Sequence, residues 1–211
     1  MSHGNEALPS AFDWDRARLV HRDNLPHVRQ ANVIYFVTFR LADSLPAERV
    51  AELKRHRDRW LRLNPPPHTP QQQQEYRRIW TARIENLLDA GCGACPLHQP
   101  ECRLILEDSL RHDDGRRYRL GEFVIMPNHV HAFVHMLPGH ELSEAMKAWK
   151  SVSARRIGKL MGRTGPYWMD EYFDHAVRGD DALLKFAQYI RDNPRNLAAG
   201  TFTLGAGTLK T

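Results

Sequence analysis

Residues 118–136 read YRLGEFVIMPNHVHAFVHM, and this stretch decides the fold. Aliphatic and aromatic residues fill both halves, which predicts two strands over 118–126 and 129–136. A proline and an asparagine, both typical of turns, separate the two halves. Because successive side chains of a strand point to opposite faces, His129 and His131 lie on the same face. The stretch therefore predicts two consecutive strands, the second of which presents two imidazoles side by side.

A second stretch, residues 189–194, reads YIRDNP and ends the predicted last helix. That helix is expected over 181–192, with Asp180 as its cap. A proline follows Asn193, and the residue before a proline avoids helical geometry, so the helix ends there. Tyr189 and Asn193 are four residues apart and share one helix face. Such a tyrosine is ordinarily a core residue with its hydroxyl at the rim. Beside two histidines and an amide oxygen, however, its phenol could attack a phosphodiester.

The rest of the chain is predicted from periodicity and from turn residues. The expected elements are a strand over 33–41, helices over 46–63, 71–89, 101–112 and 141–161, and a strand over 172–178. The order β, helices, β, β, α, β, α indicates an α+β, ferredoxin-like antiparallel sheet with helices on its faces. Residues 46–112 would be a helical insertion after the first strand. All 211 residues are expected to form one domain, with 1–30 as a loosely ordered lead-in and 201–211 as an edge strand or disordered tail.

Composition narrows the class of protein. With 42% hydrophobic and 26% charged residues, the chain has the composition of a globular protein. No apolar stretch has the length of a membrane helix, and the N-terminus lacks a signal-peptide pattern, so no membrane partner is expected. Three cysteines, an odd number, favour a reducing cytosol. The net charge of +5 and the pI near 9.3 suit a polyanionic partner.

Positive charge is concentrated on the predicted helix 141–161 and just after it. Residues 145–163 contain no acidic residue and six basic ones, which are Lys147, Lys150, Arg155, Arg156, Lys159 and Arg163. Apolar residues at helical spacing occupy the other face. A solvated helix face is the alternative, but such faces usually mix charges of both signs. The pattern therefore favours contact with nucleic acid.

Several motifs occur together in the order known from one family. They are YFVTFRLADSLP at 35–46, YRL at 118–120, VIMPNHVH at 124–131, Trp168, YFD at 172–174, Arg178 and YIRDNP at 189–194. This set closely resembles the REP-associated tyrosine transposases, a branch of the single-tyrosine HUH transposases. The resemblance covers roughly residues 24–200.

The resemblance implies a fold, a site and an activity. The fold is the same sheet-and-helix core. His129 and His131 would be metal ligands, Asn193 the third ligand and Tyr189 the nucleophile that forms a 5′-phosphotyrosine. The implied partner is single-stranded DNA with palindromic hairpins, and the implied reaction is cleavage followed by strand transfer. Two imidazoles and one amide oxygen would leave open positions on Mg²⁺ or Mn²⁺, which prefer more carboxylate ligands, so binding should be weak.

Three further residues bear on the site. Lys185 lies one turn before Tyr189 and could bind the phosphate or stabilise the phenolate, although an exposed helix lysine is an equally good interpretation. Tyr172 is the rival nucleophile, but it lies on a predicted strand without a ligand one turn away. His135 shares the face of the histidine pair and is interpreted as structural.

Cysteines and one histidine form a second candidate metal site. Cys92, Cys95, His98 and Cys102 are the residue types of a Cys₃His zinc site. Their spacing is cramped, however, and Cys102 falls on a predicted helix. The favoured interpretation is a turn that needs no metal.

Other functions stay open. A DNA-binding or regulatory protein with the same site, but without transposition, cannot be separated by sequence. A metal-dependent hydrolase or oxygenase lacks an acidic third ligand at a suitable spacing. A replication initiator or relaxase is disfavoured by the small single domain and by the order of the motifs. A monomer is favoured over a dimer, and the expected location is cytoplasmic and nucleoid-associated.

Overall fold

The computed structural model describes residues 9–10, 12–13, 16–22, 25–65, 67, 69, 71–72, 75–76, 79, 83 and 91–210. The elements of this part, in chain order, are β1 (Arg18–Arg22), β2 (Leu25–Arg29), β3 (Ile34–Arg40), α1 (Ala47–Leu63), α2 (Pro100–Arg111), β4 (Tyr118–Ile125), β5 (His129–Met136), α3 (Leu142–Met161), β6 (Phe173–Ala176), α4 (Asp180–Asp192) and β7 (Thr203–Ala206). Short 3-10 turns lie at Pro96–His98 and Asn193–Asn196.

The central sheet has five strands in the order β6-β3-β5-β4-β7, and every neighbouring pair is antiparallel. Strands β6, β3, β5 and β4, together with α2, α3 and α4, give the ferredoxin-like arrangement. In this arrangement the first and third of these four strands along the chain, here β3 and β5, lie side by side. The predicted fold class, an α+β antiparallel sheet with helices on its faces, is confirmed.

Alternation along the strands divides the core into two layers. Tyr35 and Val37 of β3 pack in the larger cluster together with residues of α2 and α3, among them Trp149. Phe36, between them, packs in the smaller cluster with residues of α4, among them Ile190. Helices α2 and α3 therefore cover one face of the sheet and α4 covers the other. The even positions of β3 and the odd positions of β5 face α4.

The hairpin of β4 and β5 forms as the sequence predicts. The Met126 N–H donates a hydrogen bond of 2.9 Å to the His129 carbonyl and closes the two-residue turn. The Leu41 N–H donates to the Asn128 carbonyl at 2.9 Å, which fixes the turn to the end of β3. All eight residues of β5 are buried, because β5 is a central strand and helices cover both its faces.

The N-terminal prediction was wrong for residues 18–22 and 25–29. These residues form an antiparallel hairpin of β1 and β2, whereas a loosely ordered lead-in was expected over 1–30. Arg29 pairs with Asp174 and donates to the Tyr172 hydroxyl at 3.0 Å, which joins the hairpin to the edge strand β6. Arginines and histidines within RLVHR and LPHVR obscure the alternation that identifies a strand. Residues 1–8 lie outside the described part.

One boundary prediction also changes. Gly179, with φ of 89°, occupies the position before α4, and Asp180 is the first helical residue and makes no capping hydrogen bond. The left-handed conformation favours glycine there, so the predicted cap at Asp180 was wrong.

The tail contains the edge strand β7, where a Cβ on Gly205 would clash with the ring of Phe123. Most of the predicted helix over 71–89 lies outside the described residues.

None of the helices in the described part of the chain is long and apolar enough to cross a lipid bilayer.

Candidate functional site

The site forms where α4 packs on β5. His129 and His131 face α4, and their ring centroids lie 4.7 Å apart at an interplanar angle of 76°. The ring of Tyr189 lies edge-on to His131, with centroids 5.1 Å apart. Asn193 follows the last residue of α4 and its N–H donates to the Tyr189 carbonyl, so it lies one turn beyond the tyrosine. The structure thus brings together the two predicted histidines and the predicted tyrosine, with the asparagine one turn further along α4.

Three atoms of this cluster share an unusual property. His129 Nε2, His131 Nε2 and Asn193 Oδ1 are buried and have no hydrogen-bond partner among the residues that the structure describes. Buried polar atoms without a partner are rare in folded proteins, because each one costs about 1–3 kcal/mol. These are the three atoms predicted to bind a metal ion, so the residues present fit the metal that the resemblance implies. In the described part of the chain no three His, Cys, Asp or Glu side chains form a metal-binding cluster.

Neighbouring side chains orient the two imidazoles. Asn128 donates through Nδ2 to the Cys92 carbonyl at 3.2 Å, so its Oδ1 faces His129 Nδ1 at 2.7 Å. An amide oxygen only accepts, so His129 carries its proton on Nδ1 and keeps the lone pair of Nε2 for a ligand. Thr38 Oγ1 lies 2.7 Å from His131 Nδ1 and can accept a hydrogen bond from its N–H in the same way. Contacts of this kind commonly orient metal-binding histidines.

Burial keeps both histidines neutral. His129 is 1% exposed, and burial lowers its pKa to about 3. Burial, and then the neighbouring His129, lower the pKa of His131 well below its usual value of 6.5. Since a metal ion binds only the neutral imidazole, both rings are in the form that can bind one at neutral pH.

The metal-free protein should therefore lose stability in acid. The unfolded chain takes up a proton on each histidine below pH 6.5, whereas folded His129 does so only near pH 3. A depressed pKa in the folded state contributes stability at high pH that is lost as the pH falls, here about 2 kcal/mol per histidine between pH 7 and pH 5. Urea unfolding in EDTA at the two pH values would measure the loss. His129→Gln should show a smaller loss by about 2 kcal/mol, and an equal loss in both proteins would contradict this origin.

Aromatic rings close one side of the site. Phe36 stacks on His131, with centroids 5.4 Å apart, and on Phe186 of α4, with centroids 4.5 Å apart. Phe36 is 3% exposed, so this side excludes water. A low-polarity wall strengthens the electrostatic interactions of any ion that binds beside it.

The predicted DNA-binding residues of α3 are not brought together with Tyr189. Lys147, Arg155, Arg156 and Lys159 are exposed and Lys150 is half-buried, all on α3, which covers the opposite face of the sheet. Two of them already have partners within the chain: Arg156 pairs with Asp108, and Lys150 Nζ donates to the Asp170 carbonyl at 2.7 Å. Lys185 is exposed on α4, one turn before Tyr189. Contact of these residues with DNA stays a prediction.

The rival residues lie elsewhere. Tyr172 precedes β6, packs in the cluster on the α3 face, and accepts a hydrogen bond from Arg29. It is therefore separated from the histidine pair by the sheet. His135 lies on the same strand as the pair, but its Nε2 contacts Asn32 Oδ1 at 2.9 Å, which agrees with a structural interpretation.

The cysteine segment packs beside the turn of the hairpin. Cys95 Sγ donates to the Gly91 carbonyl at 3.3 Å, and Cys102 is buried in α2. The Cys92 carbonyl holds Asn128, as described above. These contacts give the segment a role in positioning His129 without any metal.

Sequence reasoning overlooked the residues that orient the histidines. Thr38 and Asn128 both lie within the quoted motifs, yet neither was given a role. The alternation of side chains along β3 places Thr38 on the α4 face, and this alternation can be read from the sequence. Its pairing with His131 depends on the register between β3 and β5, which only the structure provides.

Comparison with known proteins places this geometry in context. Residues 103–193, fewer than half of the chain, match the family model described as "Transposase IS200 like". Among solved structures, the chain is similar to a REP-associated tyrosine transposase bound to a REP hairpin, at 13% identity and a TM-score of 0.42, over 82% of this chain and 73% of that one. It is also similar to a candidate transposase from Deinococcus radiodurans R1, at 18% identity and a TM-score of 0.34, over 76% and 90%. No curated protein matches the sequence.

The matched segment contains the four predicted ligand and nucleophile residues. His129, His131, Tyr189 and Asn193 all lie within residues 103–193, and the family resemblance predicted from the motifs is confirmed. Over residues 103–193, this chain is similar to the IS200-like transposases.

Proposed function

We propose that this protein cuts and rejoins single-stranded DNA, with Tyr189 as the nucleophile. The observation that carries the proposal is the trio of buried, partnerless atoms, His129 Nε2, His131 Nε2 and Asn193 Oδ1, beside the tyrosine. A fold keeps such atoms without partners at a cost in stability, which a bound ion would remove.

The residues of the site have separate proposed roles. His129, His131 and Asn193 would hold Mg²⁺ or Mn²⁺, which when bound supplies a Lewis acid that polarises the non-bridging oxygens of a phosphate. Asn128 and Thr38 orient the imidazoles through their Nδ1 atoms. Phe36 excludes water from one side and so limits hydrolysis.

Cleavage exchanges one phosphate ester for another. The oxygen of Tyr189 forms a bond to phosphorus, and the bond from phosphorus to the 3′-oxygen breaks. The phenol loses its proton to solvent, and the departing 3′-oxygen takes one up, which leaves a free 3′-hydroxyl and a 5′-phosphotyrosine. Because the phosphotyrosine is itself an ester, attack by another 3′-hydroxyl reverses the exchange and completes strand transfer.

The class of substrate rests on the motif resemblance. Hairpin-forming palindromic repeats in single-stranded DNA are the proposed target, with the protein acting as a monomer in the cytoplasm, close to the nucleoid. The basic face of α3 and Lys185 would contact the DNA backbone, which is consistent with their exposure.

A covalent adduct is the test of this function. We expect wild-type protein mixed with Mg²⁺ or Mn²⁺ and 5′-labelled and 3′-labelled hairpin oligonucleotides to form a complex that survives SDS. The label should be retained only when it lies on the 3′ side of the cut, since the tyrosine takes the 5′-phosphate. EDTA should abolish the complex. Retention of the label from the 5′ side would contradict the proposed polarity.

One observation favours a second function. The hydroxyl of Tyr189 and the three donor atoms are all buried, so the site is closed in this conformation. A protein that binds repeat hairpins without cutting them would keep such a closed site. Tight hairpin binding with no adduct under either ion would support this regulatory alternative.

A further inference from the structure

Arg40 is the last residue of β3 and faces the candidate site. Its Cα is the register partner of His129, just as that of Thr38 is the partner of His131. Directly opposed residues of antiparallel strands project to the same face, and Thr38 contacts His131 on the α4 face. Arg40 therefore lies beside His129 on the face that carries the histidines and the tyrosine.

Its guanidinium has few partners among the residues that the structure describes. Nη1 donates to Ser44 Oγ at 3.1 Å, and Arg40 forms no ion pair with any residue that the structure describes. The residue is half-buried, and burial lowers its pKa to about 10, partly opposed by the more distant Glu171. It is thus still protonated at neutral pH, with no carboxylate of the described residues at contact distance.

The local charge makes an anion the expected partner. Both histidines are neutral, as argued above, so Arg40 brings positive charge to their end of the sheet. A guanidinium presents parallel N–H groups that match two oxygens of one phosphate. Ser44, which is fully buried, holds one nitrogen of the guanidinium and so limits the orientations of the fork.

We propose that Arg40 binds the phosphate of the DNA strand that Tyr189 attacks, from the His129 side of the site. The inference rests on the proposed function and adds a residue that contacts its substrate. Arg40 would hold the phosphate in place, and its positive charge would partly offset the negative charge that builds up on the phosphate oxygens during the exchange.

A purely structural role is the competing explanation. In that case Arg40 would serve only to hold the 41–44 turn through Ser44, whose Oγ also donates to the Leu41 carbonyl at 2.7 Å. The two explanations differ in what they change. A structural role alters stability alone, whereas a phosphate contact alters how DNA binding depends on salt and on the charge of one phosphate.

The experiment measures binding of a labelled hairpin oligonucleotide in EDTA over a series of KCl concentrations. The proteins are wild type, Arg40→Gln, Arg40→Lys and the control Arg111→Gln, which removes the same charge from α2 on the opposite face. We expect Arg40→Gln to weaken binding about 10-fold and to reduce the salt slope by about 0.7. Arg40→Lys should retain most of the slope, and Arg111→Gln should resemble wild type.

Replacing one charged phosphate of the DNA by a neutral analogue locates the contact with Arg40. A methylphosphonate at the cleaved position, mapped from the adduct, should weaken binding by wild type but add little to the defect of Arg40→Gln. Independent effects of the two changes would overturn the proposal. The proposal would also be overturned if Arg40→Gln left the salt slope unchanged and lowered the melting temperature in the way that Ser44→Ala does.

Failure of the parent proposal gives a different result. If wild type neither binds the hairpin nor forms an adduct, the proposed function and the role of Arg40 are both rejected. If wild type forms the adduct and Arg40→Gln matches Arg111→Gln throughout, only the role of Arg40 is rejected.

Discussion

Tyr189→Phe is expected to abolish the covalent DNA adduct, with cleavage falling by at least about 10⁴-fold. Phenylalanine keeps the ring that packs edge-on to His131 and against Phe36, with centroids 5.1 and 6.1 Å away, and removes only the oxygen. The fold, the metal ligands and the DNA-binding surface should therefore stay intact. Gel analysis of SDS-resistant complexes, together with hairpin affinity and thermal unfolding of the same preparation, would show loss of chemistry alone.

Tyr172→Phe is the matched control for this change. That hydroxyl accepts a hydrogen bond from Arg29 on the opposite face of the sheet, so its removal should lower stability slightly and leave the adduct unchanged. Loss of the adduct in Tyr172→Phe, with the adduct intact in Tyr189→Phe, would exchange the roles of the two residues. An adduct in both single variants would place the nucleophile on another side chain.

Local periodicity explains why much of the site could be predicted. The histidines are two residues apart on a strand and Tyr189 and Asn193 are four apart at a helix end, so each pair shares a face whatever the rest of the chain does. That the two pairs meet follows from α4 packing on the face of β5 that carries the histidines. The order of the elements alone does not specify that face, which the structure supplies.

Non-local pairing explains what could not be predicted. Thr38 contacts His131, and Arg40 lies opposite His129, because β3 and β5 pair in one register among several that the sequence allows. The placement of the basic helix α3 on the face away from Tyr189 likewise depends on the tertiary fold. Local patterns gave the charge of that helix correctly, but they carry no information on its distance from the nucleophile.

Burial of the histidines is a second property that no local pattern fixes. β5 becomes a central strand only because β3 and β4 both pair with it, and helices then cover both of its faces. The resulting depression of the two pKa values, and the absence of partners for the Nε2 atoms, follow from that position. The ligand identities could thus be predicted from the sequence, whereas their readiness to bind a metal ion at neutral pH could not.

His131→Ala is expected to remove metal-dependent stabilisation and adduct formation together. In wild type, Mn²⁺ at about 100 times its dissociation constant should raise the free energy of unfolding by about 2.7 kcal/mol, because the ion binds only the folded state. Without the His131 Nε2, one of the three donors is lost and the melting temperature should no longer respond to Mn²⁺. The truncation also leaves a cavity beside Phe36, so the measurement must compare each protein with and without the ion.

His135→Ala supplies the matched control on the same strand and face. His135 is equally buried, and its truncation costs stability for the same reason, but its Nε2 contacts Asn32 and it lies outside the proposed ligand set. Its response to Mn²⁺ and its adduct should equal those of wild type. If His131→Ala kept the Mn²⁺-dependent rise in melting temperature, the ion would bind elsewhere, and the trio of partnerless atoms would need another explanation. Loss of the Mn²⁺ response in both variants would point instead to general disruption of β5. Comparing His131→Ala with His135→Ala therefore separates a metal ligand from a histidine that is only buried.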